Sequence, residues 1–281
     1  MSRVLITGGT GTLGRTLVKV LCENHDVTVF SRDEYKQAIM LWEGYDCRFV
    51  TGDVRDLPRL TEAMAGHELV IHAAAMKQVS SGHRSANELV QTNVHGTQNA
   101  LHAALEVGSS QFVYVSSDKA VDPVNMYGVT KKLGEQMVFN AGGAEMQTLV
   151  VRWGNVIRSR GSVLEKWERM KRIRIPSPRW TRYWATRDEV AEFLLTSLKG
   201  MSKKVRQKIT PMTMKSANLS VLAAAAAEAY GIVSFEVDYE PLADEKAHES
   251  LAHGDSSETA EQLDVKALVM VIREDMKRWP L

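Results

Sequence analysis

The sequence feature that most constrains the fold is a glycine-rich turn between an apolar run and an amphipathic run. Glycines at positions 8, 11 and 14 follow Val4 to Thr7 and open the helical pattern Thr12 to Glu23. A phosphate-binding dinucleotide fingerprint requires this strand–turn–helix context. Gly8 can make the tight turn, Gly11 lets the backbone approach a pyrophosphate, and Gly14 allows close packing of helix on strand. The turn therefore predicts a dinucleotide site, and a plain glycine-rich turn is the alternative.

Short apolar runs alternate with longer amphipathic runs over the first half of the chain. The apolar runs are Val4 to Thr7, Asp26 to Ser31, Arg48 to Thr51, Leu69 to Ala73, Gln111 to Val115 and Met146 to Val151, and helical runs include Leu57 to Met64, Glu88 to Val107 and Tyr127 to Asn140. This alternation predicts an α/β fold with a Rossmann-like doubly wound parallel sheet and a smaller C-terminal substrate-binding region. We assign 1–155 to the dinucleotide-binding domain, with a returning helix near 188–198, and 156–281 to the substrate-binding region.

Charge and apolar content exclude several kinds of partner. The 281 residues carry a net charge of +1, which gives no field that would attract nucleic acid or an anionic membrane. No apolar run approaches the roughly 18 residues of a membrane span, and Met1 leads into a strand without the basic segment of a signal peptide. Cys22 and Cys47 are the only cysteines, so a disulfide framework is not expected. We expect a cytoplasmic protein with no nucleic-acid or membrane partner.

The end of the second predicted strand indicates which dinucleotide binds. NAD-dependent proteins usually place an acidic residue there, whereas this chain has Arg32 after Ser31. The guanidinium suits a 2′-phosphate, and Ser31 and Lys36 can add contacts, so we favour NADP over NAD. The alternative is a solvated helix start, which Asp33 and Glu34 would suit. The candidate cofactor-binding residues are Thr7, Gly8, Thr10, Gly11, Thr12, Leu13, Gly14, Ser31, Arg32, Lys36, Asp53, Val54, Ala73, Ala74, Ala75, Asn93, Tyr127 and Lys131.

A second group of polar residues follows the fifth predicted strand. Ser117, Asp118 and Lys119 lie there, and Tyr127 opens the next helix with Lys131 four residues later. Residues at i and i+4 share one helical face, so the lysine ammonium can lie beneath the phenol. That charge and a cationic nicotinamide both favour the phenolate, which lowers the tyrosine pKa towards that of a general base. These five residues form the candidate catalytic set, and we assign no metal site. A chance Tyr-x-x-x-Lys spacing and a surface Asp–Lys pair are the alternatives.

These motifs resemble those of the extended short-chain dehydrogenase/reductases. Within that superfamily they are most similar to the inverting UDP-N-acetylglucosamine 4,6-dehydratases of polysaccharide biosynthesis. The resemblance covers roughly residues 3 to 230. The matching segments are Thr7 to Gly14, Ser31 to Glu34, Ala73 to Val79, Thr92 to Asn93, Asp118 to Val121 with Pro123, Tyr127 to Lys131, Val151 to Val156, Ser159 to Val163 and Thr181 to Trp184.

The resemblance implies a role for each candidate catalytic residue. Tyr127 would assist hydride loss from C4, Ser117 would orient the 4-hydroxyl, and Lys131 would hold Tyr127 and the nicotinamide ribose. Lys119 would take the C5 proton, and Asp118 would donate to the C6 oxygen as water leaves. A lysine base where retaining dehydratases carry a carboxylate implies inversion at C5.

The resemblance also implies a substrate site that departs from the family. The candidate substrate-binding residues are Lys77, Asn155, Arg160, Ser162 and Arg182. The two arginines suit a diphosphate, and a solvated surface is the alternative for Lys77 and Arg182. The family usually carries an arginine-containing segment near its C terminus. The corresponding stretch, Tyr239 to Glu249, keeps Glu245-Lys246 and His248-Glu249 but lacks the arginine and the glycines.

Three classes of function stay open at this stage. The first is a 4,6-dehydratase, the second is a UDP-sugar 4-epimerase or reductase with the same cofactor chemistry, and the third is a non-catalytic NADP-binding protein. Asp118 and Lys119 favour the first, because an epimerase needs only the serine, tyrosine and lysine. The helices predicted over Glu88 to Val107 and Tyr127 to Asn140 resemble the faces through which relatives dimerise, so we expect a homo-oligomer.

Overall fold

The computed structural model describes residues 1–77, 86–143, 145–201, 207–233, 235–237 and 244–279. These form two compact units. The first comprises Met1–Arg152 and Ala191–Thr210, and the second comprises Trp153–Val190 and Pro211–Leu281. The chain thus leaves the first unit three residues before the expected boundary at 155. It returns with a strand as well as the expected helix, because that strand completes the edge of the large sheet.

The helices and strands follow one another in the order that the sequence predicts for βαβ units. In chain order they are β1 (Arg3–Thr7), α1 (Thr12–Leu21), β2 (Asp26–Ser31), α2 (Glu34–Trp42), β3 (Arg48–Thr51), α3 (Leu57–Met64), β4 (Leu69–His72), α4 (Ala86–Leu89), a π-helical segment (Val90–His95), α5 (Gly96–Glu106), β5 (Gln111–Val115), a 3-10 turn (Asp118–Ala120), α6 (Met126–Ala141), β6 (Gln147–Arg152), β7 (Asn155–Val156), α7 (Val163–Met170), β8 (Ile173–Ile175), β9 (Thr181–Ala185), α8 (Arg187–Lys199), β10 (Gln207–Pro211), β11 (Lys215–Asn218), α9 (Leu219–Tyr230), β12 (Phe235–Val237) and α10 (Val265–Arg278).

The first unit is built on a seven-stranded sheet in the order β10-β6-β5-β4-β1-β2-β3. Every pairing from β3 to β6 is parallel, with Ile6 opposite both Val29 and Ile71. This is the doubly wound Rossmann order, so the predicted fold class is confirmed. The strand order reverses between β1 and β4, and ligands of such sheets bind beyond the carboxyl ends of the strands at this point.

The central strands carry consecutive buried apolar residues because helices cover both faces of the sheet. The side chains of Leu5, Ile6, Val70 and Ile71 have no exposed surface. The predicted helix over Glu88 to Val107 is present as α4 and α5 with a π-helical segment between them. This wider turn carries Thr92 and Asn93, which are both buried.

The second unit contains a three-stranded sheet, β11-β9-β7, and a two-stranded sheet, β12-β8. Its core forms around α9, where Ala223, Ala225 and Ala226 are fully buried. Small side chains at these positions allow close packing, and α10 contributes Leu268 and Ile272 to the same cluster. The alanine-rich segment is therefore a packed helix.

The two cysteines lie near each other in the first unit. Cys22 and Cys47 are free and half-buried. Burial, followed by the neighbouring Cys22, raises the pKa of Cys47 to about 12, which disfavours the reactive thiolate.

Within the described part of the chain, no helix combines the length and the apolarity that crossing a membrane requires.

Candidate active site

The glycine turn between β1 and α1 has three glycines with different physical roles. Gly8 has a φ of +71°, and a Cβ there would lie 2.8 Å from the Ala74 backbone. A Cβ at Gly14 would lie 2.5 Å from Gly9 Cα, so Gly14 packs on the turn itself and not on the strand as expected. The fold therefore requires glycine at both positions.

Gly11 is constrained less by the chain than the other two glycines are. The nearest atom that a Cβ there would meet is the Gly8 carbonyl oxygen, at 3.2 Å. Gly11 is also the N-cap of α1 and, as a glycine, brings no capping side chain to the first N–H groups of the helix. A bare helix N terminus next to a glycine backbone fits the pyrophosphate of a dinucleotide.

His72 ends β4 and holds the neighbouring turns together. Its Nδ1 is 2.8 Å from Thr7 Oγ1, and its Nε2 is 3.2 Å from Thr97 Oγ1. Burial, followed by the Lys131 charge, lowers the pKa of His72 to about 3, so the imidazole is neutral. The Thr7 hydroxyl in turn accepts from the Ala74 backbone N–H at 3.3 Å. His72 is therefore a structural histidine.

Asn93 fixes the segment that follows β4. Its Oδ1 accepts from the Met76 N–H at 2.8 Å, and its Nδ2 donates to the Met76 carbonyl at 2.9 Å and to Thr130 Oγ1 at 3.0 Å. Asn93, which is a candidate cofactor ligand, thus holds the backbone of the segment Ala73 to Lys77 at Met76. Residues 78 and 79 of the matching segment lie outside the described residues.

The carboxyl ends of β2 and β3 bring basic and acidic side chains together. Arg32 is exposed and has its Nη1 3.7 Å from Asp53 Oδ2, while Arg55 Nη2 donates to the same oxygen at 2.7 Å. Burial raises the pKa of Asp53, but the Arg55 hydrogen bonds and the Arg55 and Arg32 charges outweigh it and leave the pKa below its ordinary value. Lys36 pairs with Asp33 at the start of α2. Sequence reasoning missed Arg55, although Asp-x-Arg after a strand is a usable signal.

Ser117, Asp118 and Lys119 lie at the end of β5, where Ser117 caps the 3-10 turn. Ser117 Oγ donates to Asp118 Oδ1 at 2.7 Å. Lys119 Nζ donates to the same oxygen at 3.1 Å and to Oδ2 at 3.4 Å. The Asp118 side chain is only 1% exposed, whereas that of Lys119 is 20% exposed. The pair is therefore a mostly buried ion pair and not the surface pair that was the alternative.

Tyr127 is brought to this turn by the glycine that follows it. Asn125 caps α6 by accepting from the Gly128 N–H at 2.9 Å. A Cβ at Gly128 would lie 2.2 Å from the Lys119 carbonyl oxygen, so only glycine allows the helix to lie against the turn. The Tyr127 phenol lies close enough to Ser117, Lys119 and Asp118 for all three to influence its pKa. Serine, aspartate, lysine and tyrosine of the candidate set therefore meet at one place.

The cation that acts on Tyr127 differs from the one expected. Burial raises the pKa of Tyr127 above its ordinary value, and Lys119 and Ser117 lower it only in part. Lys131 Nζ donates to the Val115 carbonyl at 2.5 Å and lies 4.2 Å from the Tyr114 ring centroid. The expectation that Lys131 lowers the tyrosine pKa was wrong for the protein alone, because its ammonium is held by the end of β5.

Lys131 lies near a buried cluster of Glu135, Arg152 and Ser116, which the sequence analysis did not predict. Glu135 has no exposed surface and accepts from Arg152 Nε and Nη2 at 2.6 and 2.7 Å and from Ser116 Oγ at 2.6 Å. Burial lowers the pKa of Lys131 to about 7, and Glu135 opposes this shift. A glutamate four residues after Lys131 on the same helical face is the signal that could have revealed the cluster.

Residues 4–271 match the model of the family described as polysaccharide biosynthesis protein. The chain belongs to this family. It is 39% identical over 212 residues to the UDP-N-acetylglucosamine 4,6-dehydratase (inverting) of Campylobacter jejuni, a match that covers 70% of this chain and 64% of that protein. It is 36% identical over 198 residues to the UDP-glucose 4-epimerase of Rickettsia canadensis, which covers 64% of this chain and 58% of that protein. The matched regions thus span less than two thirds of either relative.

The fold is also similar to that of a solved structure. The X-ray structure of Pen from Bacillus thuringiensis superposes with a TM-score of 0.82 at 32% identity. The match covers 89% of this chain and 83% of that chain.

Most of the substrate candidates of this family member lie in the second unit. Asn155 Nδ2 donates to the Tyr183 carbonyl at 3.2 Å, and Ser162 caps α7 by accepting from the Glu165 N–H at 3.3 Å. Arg160 is exposed, and Lys77 of the first unit is exposed. For these residues, substrate contact stays a prediction.

Arg182 is held within the second unit by the segment that departs from the family. It is 6% exposed, and it donates to Glu245 Oε2 at 2.9 Å and to the Ala247 carbonyl at 3.1 Å. Thr181 Oγ1 lies 2.8 Å from His248 Nδ1, and Lys246 pairs with Glu249 at 2.9 Å. The retained part of this segment therefore packs on β9, while residues 239–243 lie outside the described residues.

Proposed function

We propose that this chain is an NADP-dependent sugar-nucleotide 4,6-dehydratase that acts on UDP-N-acetylglucosamine and inverts C5. The observation that carries the proposal is the mostly buried Asp118–Lys119 pair, which is hydrogen-bonded to Ser117 and lies close enough to Tyr127 to influence its pKa. Removal of water across C5 and C6 requires an acid and a base in addition to the group that serves C4. The 39% identity to an inverting dehydratase supports this choice over the other members of the superfamily.

The cofactor would be held by the glycine turn and by the ends of β2 and β3. Gly11 would leave room for the pyrophosphate, and Arg32 with Lys36 and Ser31 would bind a 2′-phosphate. A bound nicotinamide would supply the hydride chemistry that C4 and C6 require. Arg55 would strengthen the positive field at the ribose, since it already shares Asp53 with Arg32.

Each side chain of the catalytic set would move or hold a proton at a defined atom. Tyr127 would take the proton of the 4-hydroxyl, and Ser117 would orient that hydroxyl. Lys119 would remove the C5 proton, which the new 4-ketone makes acidic, and Asp118 would protonate the departing C6 oxygen. Lys131 would hold the cofactor ribose from its position at the end of β5.

The alternative is a UDP-sugar 4-epimerase or reductase, and the 36% identity to an epimerase supports it. Such an enzyme would use Tyr127, Ser117 and Lys131 but would give Asp118 and Lys119 no chemical task. A non-catalytic NADP-binding protein would need none of the five residues together. The protein would assemble as a homo-oligomer, because α6 presents Val129 and Leu133 at 44% and 45% exposure. A cytoplasmic location stays a prediction from the sequence.

The test is to incubate the purified protein with NADP and UDP-N-acetylglucosamine in heavy water and to follow product mass. A dehydratase yields a product lighter by one water that carries deuterium at C5. A product that keeps its 6-hydroxyl and differs only at C4 would establish the epimerase. A panel of other UDP- and dTDP-sugars, run in parallel, identifies the substrate.

Two variants distinguish the residue needed for cofactor reduction from the residue needed for water elimination. Tyr127→Phe should show no reduced cofactor, because the first proton acceptor is lost. Lys119→Ala should slow cofactor reduction, since this lysine lowers the Tyr127 pKa, but should abolish elimination, so that reduced cofactor accumulates. Lys132→Ala, outside the catalytic set, is the matched control. Full turnover by Lys119→Ala would remove the case for a dehydratase.

A further inference from the structure

Glu135 of α6 joins three elements of the first unit through one buried carboxylate. Its Oε1 accepts from Ser116 Oγ and from Arg152 Nε, each at 2.6 Å, and its Oε2 accepts from Arg152 Nη2 at 2.7 Å. Arg152 is the last residue of β6, and Ser116 directly follows β5. The Ser116 N–H also donates to the Val151 carbonyl of β6 at 2.8 Å. Ser116 is therefore fixed to β6 through its backbone and to α6 through its side chain.

The residues next to this cluster in the chain are those assigned to oxidation at C4. Ser117 follows Ser116 and caps the 3-10 turn. Tyr127 and Lys131 precede Glu135 by eight and four residues in α6, and helical positions four apart share one face. The cluster thus connects the segment that carries Ser117 to the helix that carries Tyr127 and Lys131.

Beside the cluster, α6 packs directly on β5. Lys131 Nζ donates to the Val115 carbonyl at 2.5 Å. A Cβ at Gly134 would lie 2.2 Å from the hydroxyl oxygen of Tyr114, which is itself only 1% exposed. These contacts hold the helix along β5 up to the last residue of the strand. The cluster extends this attachment one residue beyond the strand, to Ser116.

We propose that Glu135 is a positioning residue, which sets the distance between Ser117 and the side chains of Tyr127 and Lys131. It would act through Ser116 and through α6, and not by contact with substrate or cofactor. The proposal rests on the proposed function for the assignment of Ser117, Tyr127 and Lys131 to oxidation at C4, a step that a dehydratase and an epimerase share.

The form of the cluster suits positioning better than it suits stability. Arg152 holds the Glu135 carboxylate through two hydrogen bonds, and this bidentate geometry fixes the plane of the carboxylate. The direction of Oε1 towards Ser116 is fixed with it. Apolar residues of similar volume often replace a buried ion pair without loss of stability. They could not supply a directed hydrogen bond to the segment before Ser117.

The direct test removes the bond between the cluster and the catalytic turn. Ser116→Ala keeps the Glu135–Arg152 ion pair and should lower the limiting rate of cofactor reduction by UDP-N-acetylglucosamine by about 10-fold to 10²-fold, as expected for a misplacement approaching 1 Å. The half-saturating sugar-nucleotide concentration should not change, because most candidate substrate ligands lie in the second unit. Thr148→Val is the matched control, since it removes a buried β6 hydroxyl that has no hydrogen-bond partner among the described residues.

A double variant separates positioning from stability. Glu135→Leu with Arg152→Met leaves neither charge buried without its partner, so Tm should stay close to that of the wild type. Its limiting rate should nevertheless fall at least as far as that of Ser116→Ala. A wild-type limiting rate in Ser116→Ala would overturn the proposal, and so would a double variant whose rate falls only in proportion to its folded fraction. Wild-type protein that reduces no cofactor with any sugar nucleotide would instead defeat the proposed function.

Discussion

Gly128 is expected to control the catalytic geometry although it carries no reactive group. In Gly128→Ala, without any movement of the backbone, the new Cβ would lie 2.2 Å from the Lys119 carbonyl oxygen. Cβ atoms in proteins essentially never lie closer than 3.0 Å to such an atom. The start of α6 and the 3-10 turn must therefore separate by about 1 Å, and a misplacement of this size costs about 10²-fold in rate. This separation moves the Tyr127 phenol away from Ser117 and Lys119, the two groups that lower its pKa.

The effect on stability should be much smaller than the effect on rate. Overpacking costs about 1 to 3 kcal/mol, but alanine is favoured over glycine inside a helix by about 1 kcal/mol. For a chain of this size, each kcal/mol corresponds to about 2 to 4 °C in Tm, so a shift of only a few degrees is expected.

The assay combines thermal unfolding with the rate of cofactor reduction by UDP-N-acetylglucosamine. Gly143→Ala is the matched control, because a Cβ there meets no described atom within 4 Å and its φ is not positive. We expect Gly128→Ala to bind NADP normally and to lose about 10²-fold in rate, while Gly143→Ala keeps wild-type values. Wild-type turnover by Gly128→Ala would refute the view that this contact positions Tyr127.

Three further predictions concern the cofactor, the buried lysine and assembly. Arg32→Asp should weaken NADP binding far more than NAD binding, because it removes a 2′-phosphate partner and adds repulsion, and equal losses in calorimetric titrations would contradict the NADP assignment. Burial lowers the pKa of Lys131 from 10.5 to about 7, so between these values the unfolded chain binds more protons and stability rises with pH. Lys131→Met should flatten this rise in the free energy of unfolding, and an unchanged pH dependence would count against the shift. Leu133→Glu should shift a homo-oligomer towards monomer in light scattering at micromolar concentration, and a wild-type protein that is already monomeric would argue against assembly through α6.

Local sequence signals were sufficient for the fold and for the composition of the candidate site. The alternation of apolar and amphipathic runs specified parallel strands and their helices, because strands buried on both faces must be apolar throughout. The glycine spacing located the turn at the start of α1, and the Ser117, Asp118 and Lys119 run was correctly expected beside Tyr127. These patterns depend on residues that are near each other in the chain.

Tertiary structure alone decided how the charges in the site are shared. Helical spacing placed Lys131 under Tyr127, yet the ammonium is held by the Val115 carbonyl, and Lys119 is the cation that acts on the phenol. Spacing within a helix defines a face but not what packs against that face. The direction of the Tyr127 pKa shift depends on burial, which no local pattern reports.

Long-range contacts also decided which polar residues are structural. Arg152 is 17 residues from Glu135, and Arg182 is 63 residues from Glu245, yet both pairs are in hydrogen-bond contact. From the sequence, Arg182 could be interpreted only as a phosphate ligand or as a solvated charge. The sequence by itself determined the strands, helices and chemical groups, while folding determined the partners of those groups, because a buried charge must find its counter-ion wherever the chain brings one.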